Sequence, residues 1–138
     1  MLRQPKTTKF KKYHKGKVFL GRLNTTSIQV LKLGTYGLEA LEAGRMTARH
    51  AETIRKIIRK VIKRSGKMWI HFFPHTPVSA KPNENRMGKG KGKLDYYTGL
   101  VQQGEIIVEI SGINKRSADK LLSVVSKKLP VTSRLVSL

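Results

Sequence analysis

The chain has 138 residues, 38% of them hydrophobic, so its length suits one domain with a core of moderate size. It carries 29 Lys and Arg against 8 Asp and Glu, and this net charge of +21 favours a polyanionic partner such as nucleic acid. The lack of cysteine excludes disulfides and thiolate metal sites, and no run reaches the roughly 20 apolar residues of a membrane span.

The positive charge is concentrated towards the start of the chain. Residues 1–38 carry nine Lys and Arg and no acid, and residues 44–68 carry nine more against Glu52 alone. The last 45 residues carry six against four acids. This distribution indicates one strongly basic face and one face of ordinary composition.

Residues 1–24 form a basic segment without an apolar period. Phe10, Tyr13 and Phe19 alternate with cations, which suits stacking on bases and neutralisation of phosphates. We expect an extended arm whose residues 1–15 are irregular and contact RNA rather than their own domain; an unstructured terminus is the alternative. The arm residues predicted to bind RNA are Arg3, Lys6, Lys9, Lys11, Lys12, His14, Lys15, Lys17 and Arg22.

The remaining residues, 25–138, are predicted to form a single α+β domain that binds RNA. Alternating apolar residues predict a strand over 27–34, and residues 38–43 are a short connector that could be strand or turn. The clearest helix covers 47–65, with Thr47 as its N-cap and Gly66 as its terminator. Its apolar stripe is Ala51, Ile54, Ile57, Ile58, Val61 and Ile62.

This first helix is basic outside its apolar stripe. Binding to a membrane surface or to calmodulin is an alternative for such a helix. The β-branched stripe, followed by strands that need covering, favours packing inside the domain instead. The residues of the helix and its flanks predicted to bind RNA are Arg45, Arg49, Arg55, Arg59, Lys60, Lys63, Arg64 and Lys67.

Residues 67–73 are apolar on both faces and predict a central strand that ends at Pro74. Residues 74–94 are predicted as a long inserted loop. Residues 95–102 and 105–111 are predicted as the two strands of a hairpin.

A second helix is predicted to begin after Asn114 and to end at Pro130, followed by a strand over 131–136. Its apolar stripe is Ala118, Leu121, Leu122, Val125 and Leu129. The predicted fold class is therefore α+β, with two helices packed on a mixed, mostly antiparallel sheet.

Within the inserted loop, residues 81–93 are basic, and their three glycines at 88, 90 and 92 alternate with lysines. Glycine allows backbone N–H groups to approach phosphates, and lysine neutralises them. A solvated surface loop is the alternative. A P-loop is excluded because Gly92 and Lys93 are followed by Leu94 and a strand, not by Ser or Thr and a helix.

No arrangement typical of an enzyme is visible. The eight acids are scattered, and no serine lies in a nucleophile-elbow context. His71 and His75 are separated by Pro74 and lie outside any helix, so their spacing does not indicate a metal site. We expect no enzymatic activity, no cofactor and no metal.

Three strings carry a resemblance to a known family: the run that starts Gly44-Arg-Met-Thr-Ala-Arg, the run from Lys63 to Pro77, and Arg86-Met-Gly-Lys-Gly-Lys-Gly. They resemble the bacterial-type ribosomal protein L-sixteen family of the large subunit, and the likeness covers the whole chain. It implies a hammerhead-like sandwich that binds large-subunit rRNA beside the peptidyl transferase centre and helps form the acceptor tRNA site.

The resemblance also implies partners and a tRNA-facing loop. The partners are large-subunit rRNA, tRNA and neighbouring ribosomal proteins, without a membrane. The basic residues named above are then expected to bind rRNA. The residues expected to bind tRNA are Lys81, Arg86, Met87, Gly88, Lys89, Gly90, Lys91 and Gly92.

The sequence departs from the family pattern at three histidines. His50, His71 and His75 stand where the family commonly has Gln, Arg and Asp, which puts local contacts in doubt. Apolar residues within 18–34 and a high Lys and Ile content favour a mitochondrial, organelle-encoded chain; a bacterial cytoplasm is the alternative.

Two rival functions exist. A free-standing RNA chaperone explains the charge but not the specific loop, and an RNA-modifying enzyme lacks its acid/base residues.

Overall fold

The computed structural model describes residues 4–12, 14, 16 and 31–138. Within these residues there are seven strands, which occur in runs, and two helices, so the α+β class is confirmed. In chain order they are β1 (Tyr36–Ala40), β2 (Gly44–Thr47), α1 (Ala48–Ile62), β3 (Lys67–Ile70), β4 (Thr76–Ala80), β5 (Lys93–Val101), β6 (Ile106–Ser111), α2 (Lys115–Ser126) and β7 (Ser133–Ser137). Because residues 17–30 are not described, the boundary between arm and domain at residue 24 stays a prediction.

The strands form two sheets rather than one. The first has the order β3-β6-β1-β7 and the second the order β2-β5-β4, and every pairing is antiparallel. The mostly antiparallel pairing is therefore confirmed, whereas the single mixed sheet is wrong. Both sheets and both helices contribute to one core, which includes Leu38, Met46, Ile58, Val101 and Leu122.

Helix α1 begins after Thr47 as predicted but ends at Ile62. Lys63 adopts a positive φ of 52° and its N–H donates to the carbonyl of Arg59 at 3.1 Å, so Lys63, not Gly66, ends the helix. Gly66 has a different role: a Cβ there would lie 2.4 Å from the carbonyl oxygen of Ser111, because the chain passes close to the end of β6.

The predicted stripe of α1 is correct except at one position. Val61 is 48% exposed, so it lies outside the stripe, and Ile57 is only partly buried. The buried residues of α1 are Ala51, Ile54, Ile58 and Ile62. In α2, Ala118, Leu121, Leu122 and Val125 are buried as predicted, and Leu129 packs against the core from beyond the helix.

β6 is one of the two inner strands of the first sheet and β3 is an edge strand, so the prediction of a central strand over 67–73 is wrong. β6 pairs with β1 on one side and β3 on the other, and residues 106–110 are all buried. β3 covers only Lys67–Ile70; beyond it, Phe72 is buried from an irregular segment. The apolar run 67–73 therefore combines a short edge strand with a buried loop residue.

The predicted hairpin of 95–102 and 105–111 is wrong. β5 pairs with β2 and β4, and β6 belongs to the other sheet, so residues 102–105 carry the chain between sheets. Strand β4 lies inside the predicted loop 74–94, where Pro77 pairs opposite Tyr97. Pro77 is tolerated because β4 is an edge strand. The segment without regular structure is therefore 81–92, at the tip of a β4–β5 hairpin.

The prediction is also wrong around residues 31–47. Residues 27–30 of the predicted strand lie outside the described part of the chain, and residues 31–34 are not a strand. β1 occupies part of the predicted connector, and β2 was not predicted. Later elements are shifted modestly: Asn114 precedes α2 as predicted, whereas α2 ends at Ser126, ahead of Pro130.

Candidate nucleic-acid interface

The loop at the tip of the β4–β5 hairpin, residues 81–92, is the most exposed part of the domain. Residues 81–91 are all exposed, and the side chain of Met87 is 100% exposed. Two hydrogen bonds shape the loop: Lys81 Nζ donates to the Gly88 carbonyl at 2.5 Å, and the N–H of Asn85 donates to the Pro82 carbonyl at 3.1 Å. The loop is therefore shaped by hydrogen bonds to its backbone carbonyls and not by packing in a core.

Gly90 and Gly92 of the loop could not be replaced by larger residues without strain, for two different structural reasons. Gly90 has φ +82° with nothing within 4 Å of an added Cβ, so a side chain there would be strained by φ and not by a clash. At Gly92, by contrast, a Cβ would lie 2.2 Å from the carbonyl oxygen of Ala80. Gly92 therefore lets the two strands of the hairpin meet closely at the base of the loop.

The loop carries a cation, Arg86, whose charge is not compensated within the described residues. Among the described residues, none forms a hydrogen bond or ion pair with the guanidinium of Arg86. Arginine offers a planar pair of donors suited to phosphate. The loop and its base enclose an open cleft of about 1020 Å³. Its charged lining residues are Lys81, Glu84, Arg86, Lys89, Lys91, Lys93 and Asp95.

The arm lies against this hairpin over residues 4–12. Pro5 and Thr8 are half-buried, and Lys12 Nζ donates to the Lys91 carbonyl at 3.2 Å. The expectation that this segment would contact only RNA, and not its own domain, is therefore wrong: the hairpin offers a surface on which it packs.

The predicted cations of the arm that the structure describes remain available to a partner. Lys6, Lys9, Lys11, Lys12 and His14 are exposed, and Lys9 Nζ lies 5.6 Å from the ring centre of Phe10. The other predicted arm residues, Arg3, Lys15, Lys17 and Arg22, lie outside the described residues.

A second basic surface lies at the end of α1. Its cations lie at the end of the helix that carries partial negative charge, which stabilises them there. Arg59, Lys63, Arg64 and Lys67 border a groove of about 450 Å³ between the helix end and β3. The exposed members of this surface are Arg59, Lys60, Lys63, Arg64 and Lys67. Arg49 is exposed near the start of the same helix.

Two of the predicted RNA-binding arginines are engaged within the protein. Arg55 donates to Glu52 through Nη2 at 2.5 Å and Nε at 3.0 Å, and hydrogen bonding to Glu52 raises the pKa of Arg55. Arg45 Nη2 donates to the Gly16 carbonyl at 2.8 Å, which ties the arm to β2. The structure therefore favours a bracing role for Arg45 and a partly neutralised charge at Arg55.

His50 caps the start of α1. The N–H of Thr47 donates to His50 Nδ1 at 3.1 Å. Burial lowers the pKa of His50, which keeps the imidazole neutral and its Nδ1 able to accept. Although His50 departs from the family pattern, it therefore supplies the capping contact that the sequence left in doubt.

Glu109 holds the segment before β1, and the sequence did not indicate it. Its carboxylate is 1% exposed and accepts hydrogen bonds from the N–H groups of Lys32 (3.3 Å), Leu33 (2.7 Å) and Gly34 (2.7 Å). His71 Nε2 lies 3.0 Å from its Oε1. No local pattern indicates this contact, because its backbone donors are 75 to 77 residues away along the chain and His71 follows a different strand, β3.

The described residues show neither a metal-binding cluster nor a membrane-spanning helix. No group of three or more His, Asp or Glu that could hold a metal ion occurs among residues 4–12, 14, 16 and 31–138. In the same ranges, neither helix has the length and apolar character needed to cross a membrane. His75 Nδ1 lies 3.1 Å from the carbonyl oxygen of Phe73, a local contact.

Known proteins resemble this chain over nearly its whole length. The family model "Ribosomal protein L16p/L10e" matches residues 5–136. A protein of Buchnera aphidicola subsp. Acyrthosiphon pisum (strain Tuc7), named large ribosomal subunit protein uL16, is 44% identical over 134 residues, covering 97% of this chain and 96% of the relative. A protein of the same name from Paracoccus denitrificans (strain Pd 1222) is 45% identical over 137 residues with the same coverage. The chain therefore belongs to the ribosomal protein L16p/L10e family.

Proposed function

We propose that this chain is a structural component of the large ribosomal subunit that binds large-subunit rRNA near the peptidyl transferase centre and helps shape the acceptor tRNA site. Membership of a ribosomal protein family supports the first part, and the relatives carry the name of a large-subunit protein. The observation that carries the second part is the exposed loop 81–92, whose Arg86 projects without a partner among the described residues.

The rRNA is bound by two surfaces. The first is the basic end of α1, where the exposed cations Arg59, Lys63, Arg64 and Lys67 border one groove. The second is the arm, whose described lysines at 6, 9, 11 and 12 are exposed and whose Lys12 side chain donates to the backbone of the hairpin. The net charge of +21 is neutralised by the rRNA phosphates. Neighbouring ribosomal proteins are further partners, since the chain belongs to a ribosomal protein family.

The loop 81–92 contacts tRNA. It offers Arg86 for bidentate contact to phosphate, and the lysines at 81, 89 and 91 as additional charges. Its lack of core residues means that the domain does not need the loop in order to fold. The tip of the hairpin can therefore bind a partner transiently, while α1 and the arm remain bound to rRNA.

A free-standing RNA chaperone remains the rival function, because the charge alone supports it. The two functions differ in whether the chain stays bound to one defined particle. The relatives named above come from bacteria and favour a ribosome of bacterial type. They do not support the mitochondrial origin, which stays a prediction.

Changing the loop should impair tRNA handling without removing the protein from the subunit. Arg86→Ala removes a charged hydrogen bond worth roughly 1.5–3 kcal/mol, so acceptor-site tRNA binding should weaken by about tenfold or more. Gly90→Val forces a β-branched residue to a φ of +82° and should distort the loop. The measurement is tRNA binding and peptide-bond formation on purified ribosomes that carry each variant at full occupancy.

Gly104→Val is the matched control, since Gly104 has φ +85° and open space around it but lies between the two sheets and not in the loop. We expect ribosomes with this variant to bind tRNA normally. Normal tRNA binding by ribosomes that carry either loop variant would contradict the tRNA-facing role. Loss of the loop variants from the subunit would also contradict it and would indicate that the loop anchors the protein to rRNA.

A further inference from the structure

The arm and the hairpin together form a second open cleft, distinct from the one inside the loop. It has a volume of about 710 Å³ and lies between the arm segment 4–12 and the start of β5. We name it the arm–hairpin cleft. Its lining residues are Gln4, Pro5, Lys6, Thr7, Thr8, Lys11, Lys12, Lys93, Leu94 and Tyr97.

All the charged side chains that line the arm–hairpin cleft are positive. Four lysines line it, three from the arm and one from β5, and no carboxylate is among the lining residues. The cleft inside the loop differs, since Glu84 and Asp95 border it. Four ammonium groups around one cleft repel one another, and an anion between them would relieve that repulsion.

The cleft also offers groups that suit a nucleotide. Thr7 and Thr8 carry hydroxyls, and Tyr97 supplies a half-buried aromatic side chain next to Leu94 and Pro5. A row of cations beside an aromatic ring is the arrangement that holds single strands, because phosphates meet the cations while an unstacked base meets the ring. A paired base could not reach Tyr97 in this way.

From this arrangement we propose that the arm–hairpin cleft binds an unpaired RNA strand, with its phosphates on Lys6, Lys11, Lys12 and Lys93 and a base or ribose against Tyr97. This inference rests on the proposed function and adds to it that the arm and the hairpin bind the same RNA strand. The bond from Lys12 to the Lys91 carbonyl places the bound strand next to the loop. Strand binding therefore fixes the arm against the hairpin.

The first test uses the purified full-length chain and a fluorescent 12-nucleotide oligouridine. Each phosphate contact to a single strand contributes about 0.7 to the slope of log K against log salt. The variant Lys6→Gln/Lys12→Gln/Lys93→Gln should therefore lose about 2 from that slope and bind about 100-fold more weakly at 0.1 M salt. A blunt RNA duplex of equal phosphate number should show a much smaller difference between variant and parent.

The matched control removes the same charge elsewhere: Lys115→Gln/Lys120→Gln/Lys127→Gln, at three exposed positions on or next to α2. It should change oligouridine binding far less than the cleft variant. Tyr97→Leu should weaken binding about 5- to 100-fold through lost stacking, and Tyr97→Phe should restore it. Equal losses in the cleft and control variants, or equal binding by Tyr97→Leu and parent, would overturn the proposal.

Ultraviolet crosslinking in intact ribosomes then identifies the strand. A crosslink from the Tyr97 peptide to rRNA, or to added labelled tRNA, supports the site and names its occupant, and no RNA crosslink there contradicts it. The oligouridine test uses free protein, so it can fail while the chain still sediments with the large subunit. Failure of the proposed function would appear instead as absence of the chain from that subunit.

Discussion

Ile58→Asp is expected to prevent the chain from folding. Ile58 is 0% exposed in the single core that joins α1, α2 and both sheets. Losing the aliphatic side chain costs roughly 2–5 kcal/mol, and placing an unpaired carboxylate in the core adds several more. Because a domain of this size has a total stability of about 5–15 kcal/mol, the substitution removes most or all of it.

The measurement is thermal unfolding followed by circular dichroism, with Val61→Asp as the matched control. Val61 lies one turn away on the same helix but is 48% exposed, so its aspartate stays in water. We expect Val61→Asp to unfold close to the parent temperature and Ile58→Asp to show no cooperative transition. A normal transition for Ile58→Asp would mean that the faces of α1 are assigned wrongly.

Glu109→Ala is expected to lower the free energy of unfolding by roughly 3–5 kcal/mol, the usual cost of removing one partner from a buried charged network. The substitution leaves the N–H groups of Lys32, Leu33 and Gly34 without their acceptor, and His71 without its carboxylate. Urea denaturation measures the loss. Glu84→Ala, at an exposed glutamate in the loop, should cost almost nothing.

Glu109 should also make stability depend on acid pH. Burial alone raises the pKa of Glu109, but the backbone donors of Leu33, Gly34 and Lys32, together with His71, outweigh it and lower the pKa below its ordinary value of 4.5. A lowered pKa contributes stability that is fully present above the ordinary pKa and is lost as pH falls through the folded-state value. The parent should therefore lose stability below about pH 4.5, and Glu109→Gln should lose less. Parallel acid curves for the two would contradict this role.

Local patterns in the sequence predicted both helices well. Thr47 and Asn114 mark their starts, and the apolar spacing identified nearly every buried residue of α1 and α2. The helices are recognisable because a helix is stabilised by contacts within one short segment. The end of α1 was misplaced because Lys63, a residue type that rarely adopts positive φ, terminates it before Gly66.

Strand pairing was the part that the sequence did not reveal. β5 and β6 follow one another in the chain like the two strands of a hairpin, yet they belong to different sheets. Each of them pairs with strands that are not adjacent to it in the sequence, and the sequence does not show those pairings. β4 was not predicted because it contains Pro77, and proline is tolerated in a strand only at an edge of a sheet. The sequence does not show that this strand lies at an edge. Residues 93–97 then appeared to belong to a loop and a hairpin, so the surface for the arm could not be foreseen.

The parts of the candidate site that charge and glycine content define could be predicted from the sequence. The parts that depend on contacts between distant residues could not. The loop cations and the exposed lysines at the end of α1 lie where RNA can reach them. The engagement of Arg55 by Glu52 follows from a spacing of three residues in a helix. The contacts of Arg45 and Glu109, by contrast, join segments far apart in the chain and depend on the fold.

The central claim, that this chain is a component of the large ribosomal subunit, is tested most directly by sedimentation. A lysate of cells that produce the tagged full-length chain is separated on sucrose gradients at 0.1 M and at about 1 M salt, where contacts to loosely bound RNA are lost. We expect the chain to stay with the large subunit at both salt concentrations. Release of the chain to the top of the gradient at high salt, as for a free-standing RNA chaperone, would contradict it.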